Sequence, residues 1–94
     1  MGVIAAELRF PENSSLKDKR MYLRSMRAHL SRSHGATFAE IGYQDLWQRA
    51  EVVIAIAGSD LGVVERSLDV AEAYLASQEW ELVAAQREVY EVGI

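Results

Sequence analysis

Residues 36–58 read Ala-Thr-Phe-Ala-Glu-Ile-Gly-Tyr-Gln-Asp-Leu-Trp-Gln-Arg-Ala-Glu-Val-Val-Ile-Ala-Ile-Ala-Gly, two alternating runs around a polar break. In residues 36–43, Thr37, Ala39 and Ile41 are set against Phe38 and Glu40. In residues 50–58, Val52, Ile54 and Ile56 form one strongly apolar face. Side chains change sides at each step of a strand, so both runs predict strands. The residues between them, Gly42 to Arg49, are few, and they predict an antiparallel hairpin.

The flanks complete the fold. Residues 2–10 alternate again, with Ile4, Ala6, Leu8 and Phe10 on one side and Val3, Ala5, Glu7 and Arg9 on the other. This is a strand with one buried face. Pro11 cannot donate to a ladder, and Glu12-Asn13-Ser14 has the composition of a turn. Ser15 is then a good N-cap, with Asp18 three residues later as the acidic half of a capping box. Leu16, Lys19, Leu23, Met26 and Leu30 recur at helical spacing, and Ser33-His34-Gly35 ends that helix. Lys19 interrupts the stripe; its stem is expected to cover apolar surface while its ammonium reaches water. A second helix runs from Ser59 or Asp60 to Ser77. Leu61, Val64, Leu68, Ala71 and Leu75 form its core stripe, and Glu65, Asp69 and Glu72 an acidic stripe beside it. Trp80, Leu82, Val83, Val89 and Tyr90 make residues 79–92 read as a long final strand.

The order is β-α-β-β-α-β. Each helix has one apolar stripe, so both must cover the same side of an antiparallel four-stranded sheet. The prediction is an α+β, ferredoxin-like sandwich, with residues 1–94 as a single domain. The absence of cysteine excludes disulfides and thiolate metal sites. The apolar runs at 2–6 and 52–58 are too short to span a bilayer, and the N-terminus lacks the pattern of a secretory signal. A cytoplasmic protein with no membrane partner is expected.

Charge is distributed unevenly. Residues 1–35 hold seven basic and three acidic side chains, whereas residues 36–94 hold three basic and eleven acidic ones. On a helical wheel Lys17, Arg20, Arg24 and Arg27 fall within about a quarter of the circumference, a ridge beside the apolar stripe. Lys17 and Arg20 lie near the helix end that already carries partial positive charge, where cations are disfavoured by a few tenths of a kcal/mol each. Backbone donors and cations converging there suit a phosphate. The alternative is a solvated face with counter-charges supplied from neighbouring elements.

Two stretches carry a resemblance: Ser15-Leu16-Lys17-Asp18-Lys19-Arg20, and Gly42-Tyr43-Gln44-Asp45-Leu46-Trp47-Gln48-Arg49-Ala50. They resemble the signature segments of the YlxP-like family of uncharacterised bacterial proteins, and the likeness extends over essentially the whole chain, including Val64-Glu65-Arg66. Tyr43 departs from the pattern, which favours a smaller or more polar residue there. The resemblance implies a ferredoxin-like αβ domain with no assigned activity and no functional residues to transfer. The family's genes commonly lie among those for translation initiation and ribosome maturation, which implies an RNA- or ribosome-linked role.

Sandwiches that bind single-stranded RNA on the sheet use aromatics of the central strands. Here the open face should carry Val3, Ala5, Glu7 and Arg9 beside Glu51, Val53, Ala55 and Ala57, with Phe38 as a lone aromatic. Nucleic acid should therefore meet the helix, through Lys17, Lys19, Arg20, Arg24 and Arg27, by backbone contacts that favour structured RNA or a ribosomal particle. The open face is apolar in its middle, with Val83 or Ala85 as further candidates, and this suggests a homodimer or a docked protein instead. In the 44–49 loop, Asp45 can fix the turn, Trp47 can cap the core, and Arg49 can pair with Asp45 or stack on Trp47. Alternatively, these residues form a recognition tip. Enzyme readings find little support. His29 and His34 are not at metal-pair spacing, Gly58-Ser59-Asp60-Leu61-Gly62 lacks a phosphate-loop lysine, and Glu7, Glu40 and Glu51 on the sheet have no nucleophile beside them. The expectation is a non-enzymatic binding module that needs no cofactor or metal.

Overall fold

The computed structural model describes residues 1–92; Gly93 and Ile94, the end of the span read as one domain, lie outside the described residues. β1 (Gly2–Arg9), α1 (Leu16–His34), β2 (Thr37–Gly42), β3 (Arg49–Ile56), α2 (Leu61–Ala76) and β4 (Glu81–Val89) follow in that order. The strands form one antiparallel sheet ordered β2-β3-β1-β4. This is the predicted α+β, ferredoxin-like arrangement.

The alternation read from the sequence sets the layers. Ile4, Ala6 and Leu8 of β1 and Val52, Ile54 and Ile56 of β3 are buried against Leu23, Met26 and Leu30 of α1 and Val64, Leu68, Ala71 and Leu75 of α2. Each of the larger of these side chains contributes about 1.5–3 kcal/mol when removed from water, the alanines less, and both helices share this one face. The opposite face, with Val3, Ala5, Val53 and Ala55, is only half-covered.

α1 begins and ends as its local chemistry requires. Ser15 Oγ accepts the Asp18 N–H at 3.2 Å. The Asp18 carboxylate reaches back to the Ser14 N–H at 3.0 Å, one residue before the position expected of a reciprocal box. At the other end Gly35 takes φ 60°, ψ 26°. Its N–H then meets Ser31 O at 3.0 Å, while Ala36 N–H meets Leu30 O at 3.3 Å. The chain turns directly into β2.

Several expectations are corrected. The final strand is shorter than residues 79–92. Trp80 lies before it, buried, with Nε1 donating to Leu75 O at 2.8 Å and its ring among Phe10, Tyr22 and Tyr74. It plugs the end of α2 instead of extending a ladder. An irregularity in the β1–β4 pairing, opposite Glu7/Leu8, falls at Val83, and Ala85 packs on the core side, so Ala85 does not line the open face. Phe38 is buried in the core opposite Ile54, leaving no aromatic from β2 on the open face. Glu40, two residues on, therefore also points toward the helices.

Candidate nucleic-acid interface

α1 packs along the β2 edge of the sheet, and its charged flank follows that edge. Lys17, Arg20, Arg24 and Arg27 are all exposed, and among the described residues none is ion-paired with a carboxylate. Arg20, Arg24 and Arg27 line a shallow groove of about 230 Å³ whose floor includes Leu23 and Phe38. Arg27 stands over the Phe38 ring at 5.6 Å and donates to Phe38 O at 3.5 Å. It covers part of an otherwise open strand edge. Glu40 is the acidic group of this groove, and its charge is already engaged elsewhere.

Lys19 engages it. The expectation that the Lys19 ammonium reaches water is overturned: the residue is 1% exposed. Its three protons go to Tyr43 O at 2.9 Å, Arg49 O at 3.1 Å and Gln44 O at 3.4 Å. Glu40 Oε2 lies 2.8 Å from Nζ. That oxygen is the shortest contact of the ammonium and balances its charge, while the carbonyls satisfy its donors. Lys19 thus leaves the set of anion-binding candidates and becomes the pin between α1 and the β2–β3 loop.

The helix N-terminus is also less open than expected. Asp18 sits there, its carboxyl held below the usual carboxylate range chiefly by the Ser14 N–H. The first-turn donor at Asp18 N is taken by Ser15. What α1 offers a phosphate is a row of side-chain cations, not its backbone end.

The loop between β2 and β3 is held from several sides. Leu46 N–H donates to Tyr43 O at 3.0 Å, and Gln44 Nε2 to Glu40 O at 3.2 Å. Asn13, buried in the preceding turn, donates to Trp47 O at 3.1 Å and accepts from Gln48 Nε2 at 3.2 Å, while Phe10 N–H reaches Gln48 O at 2.8 Å. Asn13 read in the sequence as one turn residue among three. Its partners lie over thirty residues away, which nothing local signals.

Arg49 pairs with neither expected partner. Its Nη2 donates to Glu7 Oε2 at 3.0 Å, which raises its pKa further, and its guanidinium stacks on Tyr43 at 4.2 Å. This relieves the repulsion between Glu7 and Glu51, which face each other in register. Tyr43 itself has φ 57°, a left-handed conformation in which a side chain is strained. Trp47 does not cap the core: it is 48% exposed. Asp45 is exposed and makes no hydrogen bond among those of the described residues.

The acidic and histidine candidates read from the sequence are not brought together. Glu40 is on the opposite face from Glu7 and Glu51, and His29 lies flat against Tyr74 at 3.9 Å. Among the described residues no group of three or more His, Cys, Asp or Glu is placed to hold a metal ion. No helix of the described residues is long and apolar enough to cross a membrane.

With this geometry in place, comparison with known proteins is informative about kinship. The sequence profile of a family described as a protein of unknown function, DUF503, matches residues 1–87. The chain belongs to the DUF503 family. It is also 31% identical over 77 residues to the uncharacterized protein YlxP of Bacillus subtilis (strain 168), covering 82% of this chain and 84% of that protein. Neither description names an activity, so this DUF503 protein has to be read from its own surface.

Proposed function

We propose that this DUF503 protein is a non-enzymatic cytoplasmic binding module that engages structured RNA, such as ribosomal or ribosome-precursor RNA, through Lys17, Arg20, Arg24 and Arg27. The observation that carries this reading is the pairing pattern. Among the described residues Lys19, Arg49 and Arg87 each meet a carboxylate, while the four ridge cations are exposed, follow one helix face and have no ion pair. A row of exposed cations on one helix can meet several phosphates of a folded RNA, which is recognised by shape and backbone. Exchanging all four residues for Ala should abolish most of the affinity for structured RNA and lower the slope of log K against log salt by about one per cation removed. Circular dichroism controls for folding. Parental affinity and slope in the quadruple variant would end this reading.

A second reading is supported by the half-covered strip of Val3, Ala5, Val53 and Ala55 on the open sheet face. A second copy of the chain docking there would make the protein a dimeric interaction module without RNA contact. Sedimentation at micromolar concentration decides: a strict monomer removes it.

A further inference from the structure

The loop between β2 and β3 combines two properties that rarely coincide. Its backbone is tied by Lys19, Asn13 and Phe10 on three sides, yet its two largest apolar side chains face water. Leu46 is 46% and Trp47 48% exposed. Exposing an indole forgoes the burial free energy that a ring of this size provides. A loop held this firmly with its ring outside is preorganised for contact rather than for packing.

Beside the ring lies an open cavity of about 410 Å³, with Pro11, Leu46 and Trp47 as apolar walls and Arg9, Asp45 and Gln48 as polar ones. Flat apolar walls with a few polar groups at the rim suit a planar heteroaromatic ligand. Arg9 is exposed and, among the described residues, unpaired with any carboxylate, while Asp45 is exposed and can accept hydrogen bonds. The loop that walls the cavity is also held by α1, since Lys19 donates to the Tyr43 and Arg49 carbonyls at its two ends.

From this placement we infer that the cavity takes one unstacked nucleobase of a bound RNA, stacked on Trp47, with its flanking phosphate on Arg9 and its N–H edge toward Asp45. The inference rests on the reading of the ridge as an RNA contact and adds what the ridge lacks, a means of choosing among RNAs. Phosphate contacts position a protein without reading sequence or irregularity, whereas a stacking site selects RNAs with a base free to leave its helix. An apolar protein side chain would also fit the walls, but it would leave Arg9, which has no carboxylate partner among the described residues, without a counterpart at the rim.

The test compares two RNA hairpins that differ by a single unpaired bulged nucleotide. The parent should bind the bulged hairpin about tenfold more tightly, the effect of stacking one base on an aromatic side chain. Its tryptophan emission should change on binding, and that change should be absent in Trp47→Ala because Trp80 is buried. Trp47→Ala should lose the preference while keeping the parent's affinity and salt slope for the uninterrupted hairpin; Trp47→Phe should keep most of the preference. Equal binding of both hairpins with unaltered emission overturns the base site and leaves the ridge standing. If the parent binds neither hairpin, the ridge reading fails. The base site is then decided by a short single-stranded RNA: quenching of Trp47 upholds it, and no quenching overturns it.

Discussion

The two helices carry stripes of opposite sign, and the sheet treats them differently. On α2, Asp69 and Glu72 are both met by Arg87 of β4, at 2.6 Å and 3.1 Å. On α1, the neighbouring edge strand β2 also brings a counter-charge, Glu40, but Lys19 takes it from inside the packing layer. The ridge is left with no acidic partner among the described residues. A charge run thus acquires meaning only once the adjacent strand is known. Here the carboxylate that the adjacent strand brings to the ridge is engaged by a lysine that is not part of it.

Breaking the inner pair should have the largest effect. Lys19→Met leaves three loop carbonyls and a partly covered carboxylate without their cation. Removing one member of a buried pair costs about 3–5 kcal/mol, and the 22% exposure of the Glu40 side chain places this case toward the lower end. Arg20→Met, one residue along and outside the layer, should stay within about 0.5 kcal/mol of the parent. Denaturant unfolding measures both. Equal stabilities would mean that Lys19 is not the pin described above. Adding Glu40→Leu to Lys19→Met should restore part of the loss, because the orphaned charge is then gone.

A smaller effect separates the two stripes themselves. Arg87 is about one-third exposed and its partners are more open, so Arg87→Ala should cost no more than about 1 kcal/mol, and less as salt is raised. Lys17→Ala should cost nothing and can gain a few tenths of a kcal/mol, since a cation is removed from the positive end of α1. The paired stripe would then be shown to support the fold and the unpaired one not to. A loss at Lys17 as large as that at Arg87 would contradict the difference.

The sequence made most of this architecture legible, because the periodicities of residues 2–10, 50–58 and 64–75 each point one way; Leu61, read as the first member of the α2 stripe, is instead 38% exposed. β2 was the ambiguous element. Thr37, Ala39 and Ile41 compete with Phe38 and Glu40 for the core, and neither set is clearly more apolar. The answer lay in two faults that match in space: the one polar residue on the α1 stripe, Lys19, meets the one polar residue on the buried side of β2, Glu40. Each fault alone looked like surface. The loop ties were unreadable for a related reason, since Asn13 and Lys19 find carbonyls, which every residue has, so no residue type marks the partner. The exposed ridge was legible because it depends only on helical spacing.

The smallest predicted effect concerns Asp18, the acidic residue of the first turn of α1. Asp18 accepts from Ser14 N–H at 3.0 Å and from its hydroxyl at 3.3 Å, and its carboxyl is held below the ordinary value of about 3.9. The unfolded chain therefore binds the proton first as pH falls, so Asp18 contributes stability that is complete above that ordinary value and is lost as pH drops through the folded one. Asp18→Asn removes this titration. In urea unfolding measured at a series of acidic pH values, the gap between parent and variant should be widest above the carboxylate range and should narrow below it. A gap that stays constant with pH would show that the Ser14 contact does not depend on the charge.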